Sequence, residues 1–162
     1  MQKGMGINKI VLVFVGVFLI LALLKVGGGY PKIIFVDDDF TDDPSNHKWN
    51  SIEKAIDDAN DGDTIFVFNG NYSKNIFVNK EVRIVGIGEN VLINGIGKEY
   101  AINILSENVI IENIKIENAS RALIKTFDNS TIKNCSLMAN NITGIEIFSN
   151  NVGVINCTIE RA

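Results

Sequence analysis

Asp37-Asp38-Asp39 and Asp42-Asp43-Pro44 put five carboxylates into one short stretch, the densest set of hard oxygen ligands in the chain. Calcium takes several such oxygens, and Asp37, Asp39 and Asp43 are the residues that would supply them. The stretch lacks the Asp-x-Asp-x-Asp-Gly spacing and the closing glutamate of an EF-hand loop. Solvated turn carboxylates are the favoured reading, with Ca²⁺ as the alternative. The single His47 leaves no His-rich metal site and no mechanism that needs two histidines.

Two cysteines, Cys135 and Cys157, lie 22 residues apart. In an exported protein such a pair invites a disulfide. In-register parallel neighbours stand about 4.8 Å apart, whereas a disulfide draws its Cβ atoms to about 3.8 Å. Buried free thiols are therefore expected. Asn-x-Ser/Thr occurs at Asn71, Asn118, Asn129, Asn134, Asn141 and Asn156. Asn71, Asn118 and Asn141 fall in predicted turns and are the candidate glycosylation acceptors.

These residues must be positioned by a repeat. Val109–Ile116, Ser130–Leu137 and Val152–Ile159 superimpose, with steps of 21 residues from Asn113 to Asn134 and 22 from Asn134 to Asn156. A period of that length built from short β runs without a helix predicts a coiled stack of strands. Alternation then assigns the inward rows. Ile111, Ile132 and Val154 stack, as do Ile114, Cys135 and Cys157, and Ile116, Leu137 and Ile159. A second sheet stacks Ile102, Ile124 and Ile145, then Ile104, Thr126 and Ile147, with Leu105, Phe127 and Phe148 continuing the dry core at its corner. The rows Asn113-Asn134-Asn156 and Asn108-Asn129-Asn151 are expected as stacked amide ladders, which would bury Asn129, Asn134 and Asn156 and exclude their glycosylation. Outward, Glu112 faces Lys133 and Lys125 faces Glu146 as cross-strand ion pairs. Lys115, Ser136 and Thr158 form a polar row, and Met138 separates Glu117 from Glu160. No outward row combines several carboxylates with a lysine or arginine, and no carboxylate pair is nominated by spacing as acid and nucleophile.

The fold class expected is all-β: a parallel β-helix with an N-terminal capping helix, preceded by a signal or anchor helix. Four regions result. Residues 1–9 are a basic n-region carrying Lys3 and Lys9. Residues 10–30 hold the apolar run Ile10–Leu24, then Lys25 and a glycine leash, and read as a signal peptide or transmembrane anchor. No Ala-x-Ala site follows, which favours the uncleaved anchor, and the basic start keeps the N-terminus inside. Residues 31–63 carry the entry strand Ile33–Val36, the acidic loop and a helix over Ser51–Asn60, with Ile52, Ala55, Ile56 and Ala59 on one face and Asn50 with Glu53 as a capping box. Residues 64–162 are the coils, beginning with the strand Ile65–Phe68 and ending midway through a coil at Ala162. That open edge is a place for another strand to pair. The net charge of −4 argues against nucleic acid as a partner, which needs a basic footprint.

The segments Ile34–Asp39, Trp49–Ile56 and Gly62–Tyr72, with the later Asn-Ile-Lys-Ile and Asn-Cys-Ser-Leu units, resemble right-handed parallel β-helix proteins of the pectate-lyase-like superfamily. The resemblance is closest to archaeal cell-surface repeat proteins and to the copper-insertion accessory proteins of nitrous oxide reductase. It covers Ile33 to the end. It is specific for fold, and the superfamily mixes enzymes with non-enzymes; with no catalytic set in the residues, the expectation is a short envelope or cell-surface module, membrane-anchored or secreted, with an extracytoplasmic body that binds glycans or envelope proteins without catalysis and holds no cofactor. Two other activities follow from the same resemblance: the N-terminal part of a polysaccharide lyase or hydrolase, and a copper-handling accessory protein. A lyase of this fold carries a calcium-binding acid set beside an arginine or lysine, which does not map onto this chain. Copper favours accessible Met, His or Cys, whereas both cysteines here are expected to point inward.

Overall fold

Runs of isoleucine, valine and threonine favour extended backbone, since a branched Cβ packs well on a pleated surface. Interrupted by asparagine every few residues, they can make only short strands. The computed structural model describes residues 30–161. The basic segment 1–9 and residues 10–29 of the expected signal or anchor lie outside the described residues. Among those described, no helix is long and apolar enough to cross a membrane.

The body opens with β1 (Ile33–Val36), a 3-10 turn at Pro44–Asn46, β2 (Lys48–Trp49) and helix α1 (Ile52–Asp58). Strands β3 (Thr64–Tyr72), β4 (Ile76–Val78), β5 (Arg83–Asn94) and β6 (Tyr100–Ile104) form two coils. A third follows as β7 (Ile110–Glu112), β8 (Lys115–Glu117) and β9 (Ala122–Thr126), and a fourth as β10 (Thr131–Lys133), β11 (Ser136–Met138) and β12 (Thr143–Ile147). β13 (Gly153–Ile155) and β14 (Thr158–Glu160) begin the next. The result is a parallel β-solenoid of about four turns. Its first face runs β1-β3-β5-β7-β10-β13, its second takes the C-terminal half of β5 with β8, β11 and β14, and its third is β4-β6-β9-β12.

The inward rows predicted from alternation are present and in register. Ile111 pairs Ile132, which pairs Val154, and the column extends backwards through Ile84, Ile65 and Ile34. Ile116, Leu137 and Ile159 make the matching column on the second face. Ile76, Ile102, Ile124 and Ile145 make that of the third. Both columns on the first two faces lose cover at the last coil, where Val154 is 42% and Ile159 52% exposed. The buried side of α1, Ile52, Ala55 and Ile56, joins the same apolar core, with Ala59 just beyond.

The asparagine rows correct the ladder expectation. Asn113, Asn134 and Asn156 have φ of 58°, 53° and 51°, and Asn108, Asn129 and Asn151 have 56°, 53° and 60°. All six are exposed. They are left-handed corner residues, not buried amides. A coil that turns sharply between short strands needs positive φ at each corner, and asparagine is the side chain that tolerates it best after glycine. Asn118 and Asn141 occupy a third such corner, at 57° and 55°. Consequently the sequons at Asn129, Asn134 and Asn156 are as accessible as those at Asn118 and Asn141. Asn71 lies not in a turn but near the end of β3. Replacing Asn134 by alanine is expected to cost about 1 kcal/mol of stability from the left-handed backbone, whereas Asn134→Gly stays within a few tenths. Urea unfolding of the two variants separates this from a ladder, which either change would break.

Two further differences concern side chains. Helix α1 starts one residue later than the capping box requires: Ser51 is the N-cap and makes no side-chain capping bond. Asn50 is drawn elsewhere, its backbone N–H donating to Asp42 Oδ1 (3.0 Å) and its Oδ1 accepting from Lys54 Nζ (3.0 Å). Leu105 and Phe148 are not core: they stand 50% and 51% exposed at the outer corner of the third face.

Candidate functional site

A concavity opens on the second face, and the local sequence explains why. From the third coil onward a single asparagine turns the first face into the second. In β3 and β5 the corner is longer, and their register shifts between Phe68 and Gly70. The surplus residues of β5 stand out as a ridge around Gly88, whose φ of 114° suits glycine. Asn69 props the ridge, its Oδ1 accepting the Asn90 N–H at 2.9 Å. Beside it runs a groove of about 720 Å³, lined by Asn71, Asn90, Lys115, Glu117, Ser136 and Met138 among others, with Leu92 beneath. These come from four successive coils, so the groove follows the solenoid axis.

Its polar groups are oriented but not exhausted. Lys115 Nζ reaches Asn90 Oδ1 only at 3.4 Å. Glu117 Oε1 accepts from Asn118 Nδ2 at 2.9 Å and from Asn94 Nδ2 at 3.3 Å. Amides, an ammonium and a hydroxyl over an apolar strip supply the donors, acceptors and flat contact that a polyhydroxylated chain needs. Glu117 lies on the same strand as Lys115, and Met138 and Glu160 follow it in register on the next two coils.

The acidic turn abuts one end of this groove. Asp38 Oδ2 accepts the Asn71 N–H at 3.0 Å, and a Cβ added to Gly70 would sit 2.5 Å from Asp38 Oδ1. Glycine is therefore what lets the turn approach. One carboxylate oxygen from each of Asp37, Asp38 and Asp39 lies within 4.8 Å of the others, supplying three of the six to eight oxygens that calcium takes. The sequence expectation named Asp43 in place of Asp38. Asp43 is instead committed locally, accepting from Asn46 Nδ2 at 2.7 Å, and that bond holds its carboxyl below the usual carboxylate range. The Tyr72 phenol, next along β3 from Asn71, is pushed up by burial and then by the charges of Asp38 and Asp37.

His47 is likewise engaged. Its Nδ1 lies 2.7 Å from Asp58 Oδ2, which also accepts from Trp49 Nε1 at 3.2 Å, while Lys32 Nζ bonds Asp58 Oδ1 at 3.2 Å. Burial raises the Asp58 carboxyl, but these three donors outweigh it and the net shift is downward. This cluster ties the entry loop to the C-terminal end of α1. Both cysteines are free thiols. Burial pushes Cys135 up to about 12, so its thiolate, the reactive form, is scarce at neutral pH.

Of the two outward ion pairs expected, one forms. Lys133 Nζ meets Glu112 Oε1 at 3.1 Å, and Arg83 adds a second partner across the other neighbouring coil. Burial raises the Glu112 carboxyl, yet Arg83 and Lys133 together bring it below its ordinary value of 4.5. A depressed carboxylate stabilises the fold above the unfolded pKa and ceases to do so as pH falls through the folded one. Stability is therefore expected to decline as pH drops below about 4.5, and Glu112→Gln to flatten that decline while costing about 1–2 kcal/mol at neutral pH. Urea midpoints across pH 3–7 measure both. The second pair does not form. Glu146 faces Lys125 in register, but its carboxylate turns to Arg121 Nε (3.0 Å) and the Tyr100 hydroxyl (3.2 Å).

No protein-family model matches the chain, and no curated protein matches it by sequence.

Proposed function

We propose that this chain is an exported β-helix module of the pectate-lyase-like type that binds polysaccharide on the envelope or cell surface without cleaving it. The observation that carries the reading is the axial groove on the second face, with its amides, Lys115 and Ser136 above Leu92 and Met138. A groove that spans four coils suits a linear polymer better than a compact ligand, because each coil repeats the contact about 4.8 Å further along. Its carboxylate, Glu117, is held by two amides, an arrangement suited to accepting sugar hydroxyls. Export is supported by Lys3 and Lys9 ahead of the apolar run Ile10–Leu24, which would tether the body outside the cytoplasm. A capping role for α1 is supported by its buried Ile52, Ala55 and Ile56.

Affinity electrophoresis of the full chain through gels containing neutral and acidic polysaccharides tests the reading. Retardation by at least one polymer is expected. Asn71→Ala and Lys115→Ala should each weaken it about tenfold, the loss of one hydrogen bond to a charged or well-placed group. Free migration across a broad panel, or retardation that neither variant alters, would reject the groove as a glycan site.

A further inference from the structure

The third face carries a second feature that the groove does not use. Lys125 Nζ lies 5.4 Å from the ring centroid of Tyr100, 5.4 Å from that of Phe127 and 5.2 Å from that of Phe148. Phe127 and Phe148 come from successive coils and stack at 5.8 Å with 27° between their planes. Their backbone is fixed by the ladder, Phe148 N–H donating to Thr126 O at 3.1 Å. The charges around this shelf are unevenly satisfied. Arg121 is spanned by Glu99 and Glu146, each at 3.0 Å, and Tyr100 lies buried beneath Arg121 and Lys125. Lys125, facing Glu146 in register but losing it to Arg121, forms no ion pair among the described residues. The shelf thus offers one uncompensated cation, held over aromatic faces that its charge favours, beside a half-exposed apolar ledge.

We infer that Lys125, Phe127 and Phe148 form a subsite for a carboxylated sugar, separate from the second-face groove. A pyranose has an apolar C–H face that lies on an aromatic ring and a rim that carries its carboxylate, which is the arrangement Lys125 and the two phenylalanines complement. A multiply charged phosphate or sulfate is less well matched: it favours a bidentate guanidinium, and the nearby Arg121 is already held between two glutamates. A neutral sugar leaves Lys125 uncompensated. This inference rests on the glycan-binding reading for its context but stands at a different place on the molecule.

The test is side-chain NMR of the full chain, with phenylalanine and lysine labelled, titrated with glucuronate, glucose and acetate. Glucuronate is expected to shift the Phe127, Phe148 and Lys125 resonances, and to bind at least tenfold tighter than either glucose or acetate. Lys125→Met should remove that preference, Lys125→Arg should keep affinity within about threefold, and Phe148→Ala should weaken it. Absence of shifts at these residues, equal binding of acetate, or unchanged binding by Lys125→Met overturns the subsite. A fall in melting temperature with the glucuronate preference intact gives Lys125 a covering role alone and also overturns it. The two sites fail separately. Polymer retardation lost in the groove variants, with no glucuronate shifts here, removes this subsite and leaves the groove. Glucuronate shifts here, with retardation indifferent to Asn71 and Lys115, do the reverse.

Discussion

Replacing Ile111 by alanine is expected to remove about 3–4 kcal/mol of unfolding free energy, a large fraction of what a domain of this size possesses. Ile111 is fully buried, as are its column neighbours Ile84 and Ile132 to within 1%. The change deletes three carbons from a row whose members are pinned at the strand spacing on both sides. A helix can slide to close such a gap; a rung of parallel ladder cannot without breaking hydrogen bonds above and below. Relaxation is therefore small and the cost falls high in the range for isoleucine-to-alanine changes. In a solenoid each coil contacts only its neighbours, so the damage should also uncouple the C-terminal coils and lower the denaturant slope. Val154→Ala, in the same column but 42% exposed, should cost less than about 1 kcal/mol. Urea unfolding of both variants decides the matter, and equal small effects would mean that the column is not a packed core.

Gly86→Ala is expected to be comparably damaging, by overpacking. Gly86 continues the row that runs through Val36 and Val67. At the next level the chain turns its corner at Asn113, and the left-handed backbone there brings a carbonyl inward. A Cβ on Gly86 would sit 2.1 Å from Asn113 O and 3.2 Å from Ile114 Cγ1. The corner has no slack, because the Asn113 N–H donates to Lys133 O of the following coil. A cost of about 3 kcal/mol, at the upper end of overpacking changes, is the expectation. Gly97→Ala is the control: open space surrounds it, with φ at 72°, so only the backbone term of about 1 kcal/mol applies. Thermal melts of the pair give the comparison, and equal shifts would show that the close approach at Gly86 carries no weight.

The first of these predictions starts from a row that was legible in the chain itself. Alternation is a property of neighbouring residues, and the 21- and 22-residue steps bring equivalent positions into register without any long-range information. Ile111 over Ile132 and Leu137 over Ile116 followed from that alone, and helical spacing gave the apolar side of α1. Asn113 shows the limit. A buried ladder and an exposed corner require the same residue at the same interval, so periodicity cannot separate them. The backbone dihedral separates them, and it follows from how sharply three short strands must turn to close a coil. Gly86 is the same kind of case, since nothing near it in sequence signals that Asn113 O approaches from the next coil.

The candidate surfaces were harder to read for a related reason. Each is assembled by stacking from residues about one coil apart or more. The groove needs Asn71, Asn90, Lys115 and Ser136 side by side, and it needs the ridge that the longer corners of β3 and β5 create. The acidic turn was visible as a cluster, but that Asp38 groups with Asp37 and Asp39 while Asp43 bonds Asn46 was not. The outward pairing of Glu112 with Lys133 could be read because register set it. That of Glu146 could not, because Arg121 and Tyr100 compete for the same carboxylate, and side-chain reach decides the winner.

The amino-acid sequence by itself determined that this chain coils into a parallel β stack and which residues of its later coils face in. Those features depend on hydrophobicity and periodicity, which are local and additive along the chain. The tertiary structure alone decided that the asparagines are corners, that a groove opens beside the acidic turn, and that Lys125 stands over three rings with no ion-pair partner among the described residues. Those depend on close approach between coils, where a few tenths of an ångström and the competition for one partner set the outcome.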